Sequence, residues 1–480
     1  MTMAADKQDK VLNFSSEREQ SGTCSSSAKR EKNQGKNFLN VPNKREQSQT
    51  SLDSAERSGL RPQGNVPNLR FPEFKDEWVR CKVSDVLDFY TTNSLSWDQL
   101  EYNSDELLNL HYGLIHVGLP TVVDLDENVL PNIKKKFLPK NYELCREGDV
   151  AFADASEDTN EVAKAIEFVN LSDKSVVCGL HTIHGRDNQN LTSIGFKGYA
   201  FASESFHNQI RRIAQGTKIF SISSKNFTEC YIGIPSKDEQ TKIAKLLTLI
   251  DQRISTQIRI IEKLQSLIKG LNNELMDNPK WTKIYIDDFM EFFPTNSLSW
   301  ELLSYDNGHV HNLHYGLIHS GLPTLVDCLK VSLPYILDSS LPKQYTDCKD
   351  GDVAFADASE DTAEVGKVVE LTNTGNQKIV CGLHTIHGRD VKGITVKGFK
   401  GFAFNSKYFH NQLRRIAQGS KVYSINTDNL KSCYLYIPTI AEQQKIVGLL
   451  HCLQDKIGVA EQELFLYESQ KRFLLNNLFV

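Results

Sequence analysis

A long stretch of this chain occurs twice. Residues 92–243 return as residues 295–446 at a constant offset of 203, and more than half of the aligned positions are identical without a gap. The segments GDVAFADASEDT and CGLHTIHGRD match most closely. The period is too long for a solenoid or propeller repeat, so it indicates duplication of a whole domain. Such a chain can present two similar recognition surfaces, as a target with two half-sites on a nucleic-acid duplex requires.

The composition is that of a soluble protein with enough length for two hydrophobic cores. The 480 residues contain no apolar run as long as a membrane span, and the N-terminus lacks an apolar signal-peptide core. These features predict a cytoplasmic protein. The formal net charge of −5 argues against a protein that binds DNA alone, because such proteins are usually basic. Partner subunits or a focused basic face would have to supply the phosphate contacts.

The cysteines suggest a reducing compartment. The chain has ten cysteines and no CxxC spacing. Three of them recur at equivalent places in both copies, each among apolar neighbours, and are interpreted as reduced structural residues. These pairs are Cys145 and Cys348, Cys178 and Cys381, and Cys230 and Cys433.

Each copy is predicted to be a mixed α/β globule. Residues 1–64 are rich in Lys, Glu, Gln, Ser and Asn and are predicted to be disordered. Residues 65–235 and 278–438 form the two globules, with VAFADAS, VVCGLHTIHG, SISSKNF and CYIGIP as strands. The segment ESFHNQIRRIAQG is predicted to be a helix, with Gly216 just past its end.

A long helix is predicted to follow each globule. Apolar residues alternate by three and four over residues 236–277 and again over 439–480, which is the spacing of a coiled-coil seam. Gln257 and Lys471 are polar residues within these seams. We expect the two helices to pack against each other as an antiparallel coiled coil. The globules would then be related by a pseudo-twofold axis.

The ordered set of motifs resembles the specificity (S) subunits of Type I restriction–modification systems (the HsdS family). FADASEDT, GLHTI, RRIAQG and the helix starts IPSKDEQTKIAKLL and IPTIAEQQKIVGLL carry the resemblance over residues 65–480, twice in the same order. The resemblance implies that each globule is a target recognition domain and each long helix a spacer. Two departures are the longer N-terminal segment and the unusual similarity of the two globules.

The resemblance also implies partners and a function. The chain would be a non-catalytic subunit that recognises double-stranded DNA and takes part in defence against foreign DNA in the cytoplasm of a bacterium or archaeon. Two methyltransferase subunits would bind S-adenosylmethionine, and two restriction subunits would use ATP and Mg²⁺, so this chain itself would bind no cofactor or metal. Because the two recognition domains are so similar, we expect a bipartite, near-palindromic target.

The helix within ESFHNQIRRIAQG supplies the first candidates for base recognition. Phe206, Ile210 and Ile213 form an apolar stripe at helical spacing, and the opposite face is polar. Arginine pairs bidentately with guanine, and asparagine or glutamine with adenine, in the major groove. A merely solvated polar face is the alternative. The residues in question are Asn208, Arg211, Arg212, Gln215, Asn411, Arg414, Arg415 and Gln418.

The HTIHGRD segment and the lysine after the helix supply the other candidates. His184, Arg186, His387 and Arg389 are predicted to lie where a strand meets a loop and can reach a partner. Lys218 and Lys421 are candidate phosphate contacts. His181 is interpreted as a core histidine that shares no metal with His184, because the two would point to opposite faces of a strand.

Two other motifs leave alternatives open. Asp154, Glu157 and Asp158 of DASEDT could hold a metal ion in a self-contained nuclease, although a structural turn is the favoured interpretation. TNSLSW could be a loop with an aromatic anchor or the edge of the core. A coiled-coil scaffold that binds protein is the third functional class. No GxxxxGK[ST] loop and no NPPY-type or DPPY-type tetrapeptide is present, which favours recognition over catalysis.

Overall fold

The computed structural model describes residues 65–104, 106–362, 364–419 and 421–480, so the extension predicted to be disordered lies outside the described residues. Residues 65–256 and 463–480 belong to one compact unit, and residues 257–462 belong to the other. Each unit therefore contains part of each long helix. The division into two recognition domains and two spacers stays a prediction.

The first unit contains thirteen strands in its described residues: β1 (Val79–Lys82), β2 (Asp88–Tyr90), β3 (Leu100–Glu101), β4 (Leu108–Leu110), β5 (Val122–Asp124), β6 (Asn132–Ile133), β7 (Val150–Ala153), β8 (Ala155–Ser156), β9 (Ala165–Val169), β10 (Val176–Cys178), β11 (Thr182–Arg186), β12 (Phe220–Ser221) and β13 (Tyr231–Ile234). They form a five-stranded sheet with strand order β2-β11-β7-β9-β5 and a four-stranded sheet with order β10-β4-β6-β3. Two short ladders, β1·β13 and β12·β8, complete the unit. Its helices are α1 (Val83–Val86), α2 (Tyr112–His116), α3 (Phe196–Phe201), α4 (Glu204–Ile213) and α5 (Ser224–Thr228), and the long helix α6 (Lys237–Met276) begins in it.

The second unit has an equivalent set of strands: β14 (Thr282–Tyr285), β15 (Met290–Phe293), β16 (Leu303–Ser304), β17 (His311–Leu313), β18 (Leu325–Asp327), β19 (Tyr335–Ile336), β20 (Val353–Ala356), β21 (Ala358–Ser359), β22 (Val368–Thr372), β23 (Ile379–Cys381), β24 (Thr385–Asp390), β25 (Tyr423–Ser424) and β26 (Tyr434–Ile437). They repeat both sheets strand for strand, with orders β15-β24-β20-β22-β18 and β16-β19-β17-β23. Its helices are α7 (Ile286–Phe289), α8 (Tyr315–His319), α9 (Phe399–Phe404), α10 (Lys407–Ile416), α11 (Thr427–Lys431) and the beginning of α12 (Ile440–Asn477).

The central strand β7 explains why the sheet forms here. All four residues of VAFA are buried, as expected for a short continuous apolar run covered on both faces. The strand pairs antiparallel with β11 on one side and with β9 on the other. One face contributes Val150 and Phe152 to a core that also contains Phe196, Phe201 and Phe206. The first four residues of the strand predicted from VAFADAS are therefore confirmed, whereas Ala155–Ser156 form the separate short strand β8, which pairs with β12.

Three local predictions differ from the structure. VVCGLHTIHG is not one strand but two, β10 and β11, which belong to different sheets and are separated by a turn at His181 with φ of +54°. SISSKNF divides into the short strand β12 and the helix α5. Helix α4 ends at Ile213 with an extended cap at Ala214, so Gly216 does not terminate the helix. Gly216 instead lies in the tight loop after the helix, where its φ of +141° and the nearby carbonyl oxygen of Ile219 favour glycine.

Within the first unit, α6 and the C-terminal part of α12 pack side by side. Lys471 Nζ lies 2.7 Å from the carboxylate of Asp251, and the guanidinium of Arg253 lies 5.9 Å from the ring centre of Tyr467. Leu247 and Leu474 belong to the same apolar cluster. Residue numbers therefore rise in one segment as they fall in the other, and Asp251 partners the polar Lys471 of the seam.

Within the second unit, the other parts of the same helices make corresponding contacts. Gln257 Nε2 donates a hydrogen bond of 3.0 Å to the carbonyl oxygen of Ala460, so the second polar seam residue also has a partner. Leu271, Leu275 and Leu450 pack in one apolar cluster. Both polar residues that interrupt the seams are thus accommodated by specific partners.

We predict opposite effects for one substitution at two glycines. Gly270 lies within α6, is exposed, and has nothing within 4 Å of the position a Cβ would take. Gly270→Ala should raise the free energy of unfolding by about 1 kcal/mol, because alanine loses less backbone entropy in a helix. Gly216 has φ of +141° and its Cβ would clash with the carbonyl oxygen of Ile219, so Gly216→Ala should lower stability. Urea denaturation measures both; equal effects would contradict the prediction.

Candidate nucleic-acid interface

Helix α4 presents a polar face because its apolar residues anchor the other side. Ser203 caps the helix by accepting a hydrogen bond from the amide of Phe206, as helix-capping serines commonly do. Phe206 and Ile210 are buried, whereas Asn208 and Arg212 on the opposite face are exposed. The predicted helix and its orientation are confirmed. Whether this face contacts DNA stays a prediction.

Arg211 is held by its neighbours rather than directed outward. Its guanidinium forms an ion pair with Glu204, and it donates hydrogen bonds to Asn208 Oδ1 at 2.7 Å and Asn160 Oδ1 at 3.1 Å. Arg212 is more exposed than Arg211. Of the two arginines, Arg212 is therefore the better placed to contact another molecule.

The second copy carries more positive charge on the same helix. Lys407 occupies the position equivalent to Glu204, and Arg414 and Arg415 are both exposed in α10. The apolar side is conserved, with Phe409 and Leu413 fully buried. The two helices thus share a scaffold but differ in charge at one turn.

A tight loop follows α4 and carries the candidate phosphate contact. The backbones of Gln215 and Ser221 exchange two hydrogen bonds of 2.9 Å, which close the loop between them. Gln215 and Lys218 are exposed. In the second copy, Gln418 and Ser424 close the same loop, with Gln418 and Lys421 exposed.

His184 and Arg186 are not at the surface, so the prediction that they contact DNA is wrong. His184 is fully buried and its Nε2 lies 2.7 Å from Asp149 Oδ2. Arg186 donates to both oxygens of Asp149, at 2.9 and 2.8 Å, and its guanidinium lies 4.3 Å from the ring centre of Tyr90. Burial raises the pKa of Asp149, but the hydrogen bonds from His184 and Arg186 together lower it by more, so the net shift of the pKa is downward. These side chains hold the fold together.

The second copy has an equivalent network, in which the arginine is less buried than in the first. His387 is fully buried with Nε2 at 2.7 Å from Asp352, and Arg389 donates to Asp352 at 2.7 and 2.6 Å. The predicted DNA contact of His387 is corrected for the same reason. Arg389 is partly buried, with 18% of its side chain exposed, and its guanidinium is held by Asp352 rather than directed toward a partner. Sequence alone could not say which histidine of HTIHG faces inward.

His181, interpreted above as a core residue, is exposed instead. Its side chain is 51% exposed, and Nδ1 lies 3.1 Å from the carboxylate of Asp154. The ring of Tyr112 meets His181 edge-on at 5.3 Å. His384, Asp357 and Tyr315 repeat this arrangement. The reversal follows from the turn at His181, which breaks the strand alternation on which the prediction rested.

A stacked aromatic pair lies near His181, on the other side of Tyr112. Trp97 stacks on His111 with ring centres 4.7 Å apart, and His111 Nδ1 accepts a hydrogen bond from the amide of Gly113 at the start of α2. Burial, with a smaller contribution from the charge of His181, lowers the pKa of His111 to about 4. His111 is therefore neutral at pH 7 and can accept that hydrogen bond. Trp97 is half-buried, so TNSLSW is intermediate between a loop with an exposed aromatic anchor and an edge of the core.

The DASEDT segment forms a turn, as the favoured interpretation predicted. Ser156 Oγ accepts from the amide of Asp158 at 3.1 Å, and Asp158 Oδ1 accepts from the amide of Asn160 at 2.9 Å. Asp154 is engaged with His181. Among the described residues, the side chains grouped closely enough to hold a metal ion are cysteines and histidines, so these carboxylates form no such group.

The turn, the loop and the helix lie along one edge of the unit. Strand β8 of the DASEDT segment pairs with β12 after the loop, and the amide of Ile222 donates to the carbonyl oxygen of Asp154 at 3.1 Å. The Arg211–Asn160 hydrogen bond links the helix to the turn. We call a set of residues on this edge, of which Tyr112 is half-buried and the others are exposed, the recognition edge: Tyr112, His181, Asn208, Arg212, Gln215 and Lys218. Tyr112 and His181 were missed by sequence reasoning.

Comparisons with known proteins agree with the resemblance found in the sequence. A family model described as the Type I restriction modification DNA specificity domain matches residues 168–266. The Type I restriction enzyme MjaVIII specificity subunit of Methanocaldococcus jannaschii is 24% identical over 294 residues, which are 57% of this chain and 66% of that protein. The chain thus spans slightly less than two thirds of that relative.

Solved structures provide a likeness of fold. A structure described as the basis of complex assembly and conformational transition of the type I R-M system has a TM-score of 0.51 at 13% identity, over 84% of this chain and 97% of that chain. The S subunit from M. genitalium has a TM-score of 0.49 at 14% identity, over 86% and 99%. The family model and the curated relative confirm the resemblance to Type I specificity subunits, and the structure with a TM-score of 0.51 agrees with it in fold. In the described residues, no helix is long and apolar enough to cross a membrane.

Two arginines should separate structural from surface roles. Arg186→Ala removes one partner from a buried charge network and should lower the free energy of unfolding by about 3–5 kcal/mol. The matched change Arg212→Ala removes the same side chain from an exposed position and should alter it by about 0.5 kcal/mol or less. Urea denaturation followed by tryptophan fluorescence measures both. Equal stability of the two variants would contradict the buried network.

Proposed function

We propose that this chain, which resembles the Type I specificity subunits, recognises a DNA sequence and directs a methyltransferase and a restriction nuclease to it. The observation that carries the proposal is the recognition edge, which recurs in the second copy. It presents an exposed arginine, two amides and a lysine on a rigid helix and its loop. These groups match the donors and acceptors of base edges and phosphates in the major groove.

The proposed target is bipartite and near-palindromic. Two globules with the same topology and nearly the same exposed side chains should prefer similar half-sites. We propose that α6 and α12 form an antiparallel coiled coil that relates the two globules by a pseudo-twofold axis. The Gln257–Ala460 contact supports this arrangement, because these residues occupy equivalent positions in the two copies and would meet near such an axis.

The proposed partners supply catalysis and part of the DNA affinity. Two methyltransferase subunits would bind S-adenosylmethionine, and two restriction subunits would use ATP and Mg²⁺. A chain with a net charge of −5 gains from sharing phosphate neutralisation with them, because non-specific affinity depends on the number of phosphates neutralised. We place this assembly in the cytoplasm, where it would meet foreign DNA. The turn formed by DASEDT removes the main support for a self-contained nuclease.

Replacing the exposed arginine in both copies should change specificity. Arg212→Ala with Arg415→Ala should relax the preference for one base in each half-site, by the loss of about 1–3 kcal/mol of discrimination per position. Mapping methylated adenines in DNA from cells that express the complex measures this. The control is Lys245→Ala with Arg472→Ala, which removes two exposed cationic side chains from the long helices. Unchanged specificity in an assembled Arg212 and Arg415 variant would show that α4 does not read bases.

The same mapping tests the symmetry of the target. The wild-type complex should methylate one sequence whose two halves contain the same few bases in inverted order. Arg212→Ala alone should relax one half and leave the other intact, because each copy reads its own half-site. Two unrelated halves in the wild-type sequence, or relaxation of both by the single change, would contradict the proposed pairing.

A further inference from the structure

Two cysteines and a histidine meet in the interior of each copy. Cys145 Sγ and Cys178 Sγ lie 3.5 Å apart, and each has a ligand atom within 4.8 Å of a ring nitrogen of His184. All three residues are buried, with exposed fractions of 7%, 1% and 0%. Cys348, Cys381 and His387 form the same group in the second copy, with sulfurs 3.6 Å apart.

The histidine of each group has a ring nitrogen without a partner. Nε2 of His184 is engaged with Asp149, which leaves Nδ1 as the other donor or acceptor. This Nδ1 is buried and makes no hydrogen bond, and Nδ1 of His387 is in the same position. Leaving a buried polar atom unsatisfied costs free energy, so a group that occurs twice in this state calls for an explanation.

The three side chains come from different parts of the fold. Cys178 ends β10 in the four-stranded sheet, and His184 lies in β11 of the five-stranded sheet. Cys145 precedes β7, and its amide donates to the carbonyl oxygen of Val176 at 2.8 Å. A ligand held by all three would tie the two sheets together.

We propose that each copy binds one thiophilic metal ion, Zn²⁺ or Cu⁺, through the sulfurs of Cys145 and Cys178 and through Nδ1 of His184. Cys348, Cys381 and His387 form the second site. Thiolate and imidazole ligands select such soft ions over Mg²⁺ or Ca²⁺. On binding, the two thiols release their protons to solvent, and the resulting thiolates offset the charge of the ion.

The surroundings of the histidine suit this role. With Nδ1 on the metal, Nε2–H would donate to Asp149, which is the carboxylate–histidine–metal arrangement that orients ligating histidines. Arg186 balances the charge of that carboxylate. Three protein ligands suffice for Cu⁺, whereas Zn²⁺ would complete a tetrahedral set with a water. The site revises the expectation that this chain binds no metal, and it does not depend on the proposed DNA recognition.

Metal titration of the reduced full-length chain tests the proposal. After removal of metal with a chelator, the chain is titrated with Zn²⁺ against a chromogenic chelator and, without oxygen, with Cu⁺ against bathocuproine disulfonate. Co²⁺ as a substitute for Zn²⁺ reports thiolate ligation through a near-ultraviolet sulfur-to-cobalt band. We expect two tightly bound ions of one kind per chain, and the arm in which they bind identifies the ion.

Cysteine variants locate the sites. Cys145→Ser should reduce the stoichiometry from two ions to one, and Cys145→Ser with Cys348→Ser should reduce it to none. Cys230→Ser with Cys433→Ser is the matched control, because these cysteines are equally buried and recur in both copies but lie outside the groups; two ions should remain.

Three results would overturn the proposal, and the first two do not require a variant to fold. They are failure of the wild-type chain to bind either ion stoichiometrically, a disulfide between Cys145 and Cys178 in chain purified under reducing conditions, and an unchanged stoichiometry in the doubly substituted chain.

Discussion

The carboxylate of Asp149 fixes the centre of the first globule. It accepts hydrogen bonds from the amide of Arg146, from His184 and from Arg186, while the backbone oxygen of Asp149 accepts from the amide of Phe168. An ionised carboxylate at 1% exposure is tolerated only when such partners surround it. The network therefore joins the start of β7 to β9 and β11. The network allows β11 only one pairing register with β7, because a shift of the pairing by one residue would turn His184 out of the core.

The features of the recognition edge follow from that register. Because Thr182 pairs with Ala153, the residue before β11 and the residue after β7 come together, and His181 meets Asp154 at the surface. The same register brings a ring nitrogen of His184 within 4.8 Å of the sulfurs of Cys145 and Cys178. One buried charge network thus positions both an exposed histidine and an enclosed group of sulfur and nitrogen ligands.

The spacing of apolar residues and the internal duplication predicted the helices and strands that bury a continuous apolar stripe. The helix at Glu204–Ile213, the strand at Val150–Ala153 and the long helices follow from apolar spacing, since burial of a stripe decides their type. Apolar spacing did not predict which polar residues near a turn face the core and which face solvent. His181 and His184 exchanged the expected roles because the left-handed turn at His181 interrupts strand alternation, and no local spacing reveals such a turn. Arg186 and Cys178 contact residues that are more than 30 positions away in the sequence, so no local pattern predicts their partners.

The first unit has a consequence for how the chain is made. Phe479 packs edge-on against Trp78 at 6.2 Å and also lies 5.8 Å from Phe196, while Leu474 and Leu478 belong to the same core. A nascent chain therefore leaves the ribosome with its first globule uncovered on one side, and residues 257–462 can be complete before that side is closed. Because residues 474–479 are synthesised after residues 257–462, the side of the first globule that they cover stays open until the second unit has been made.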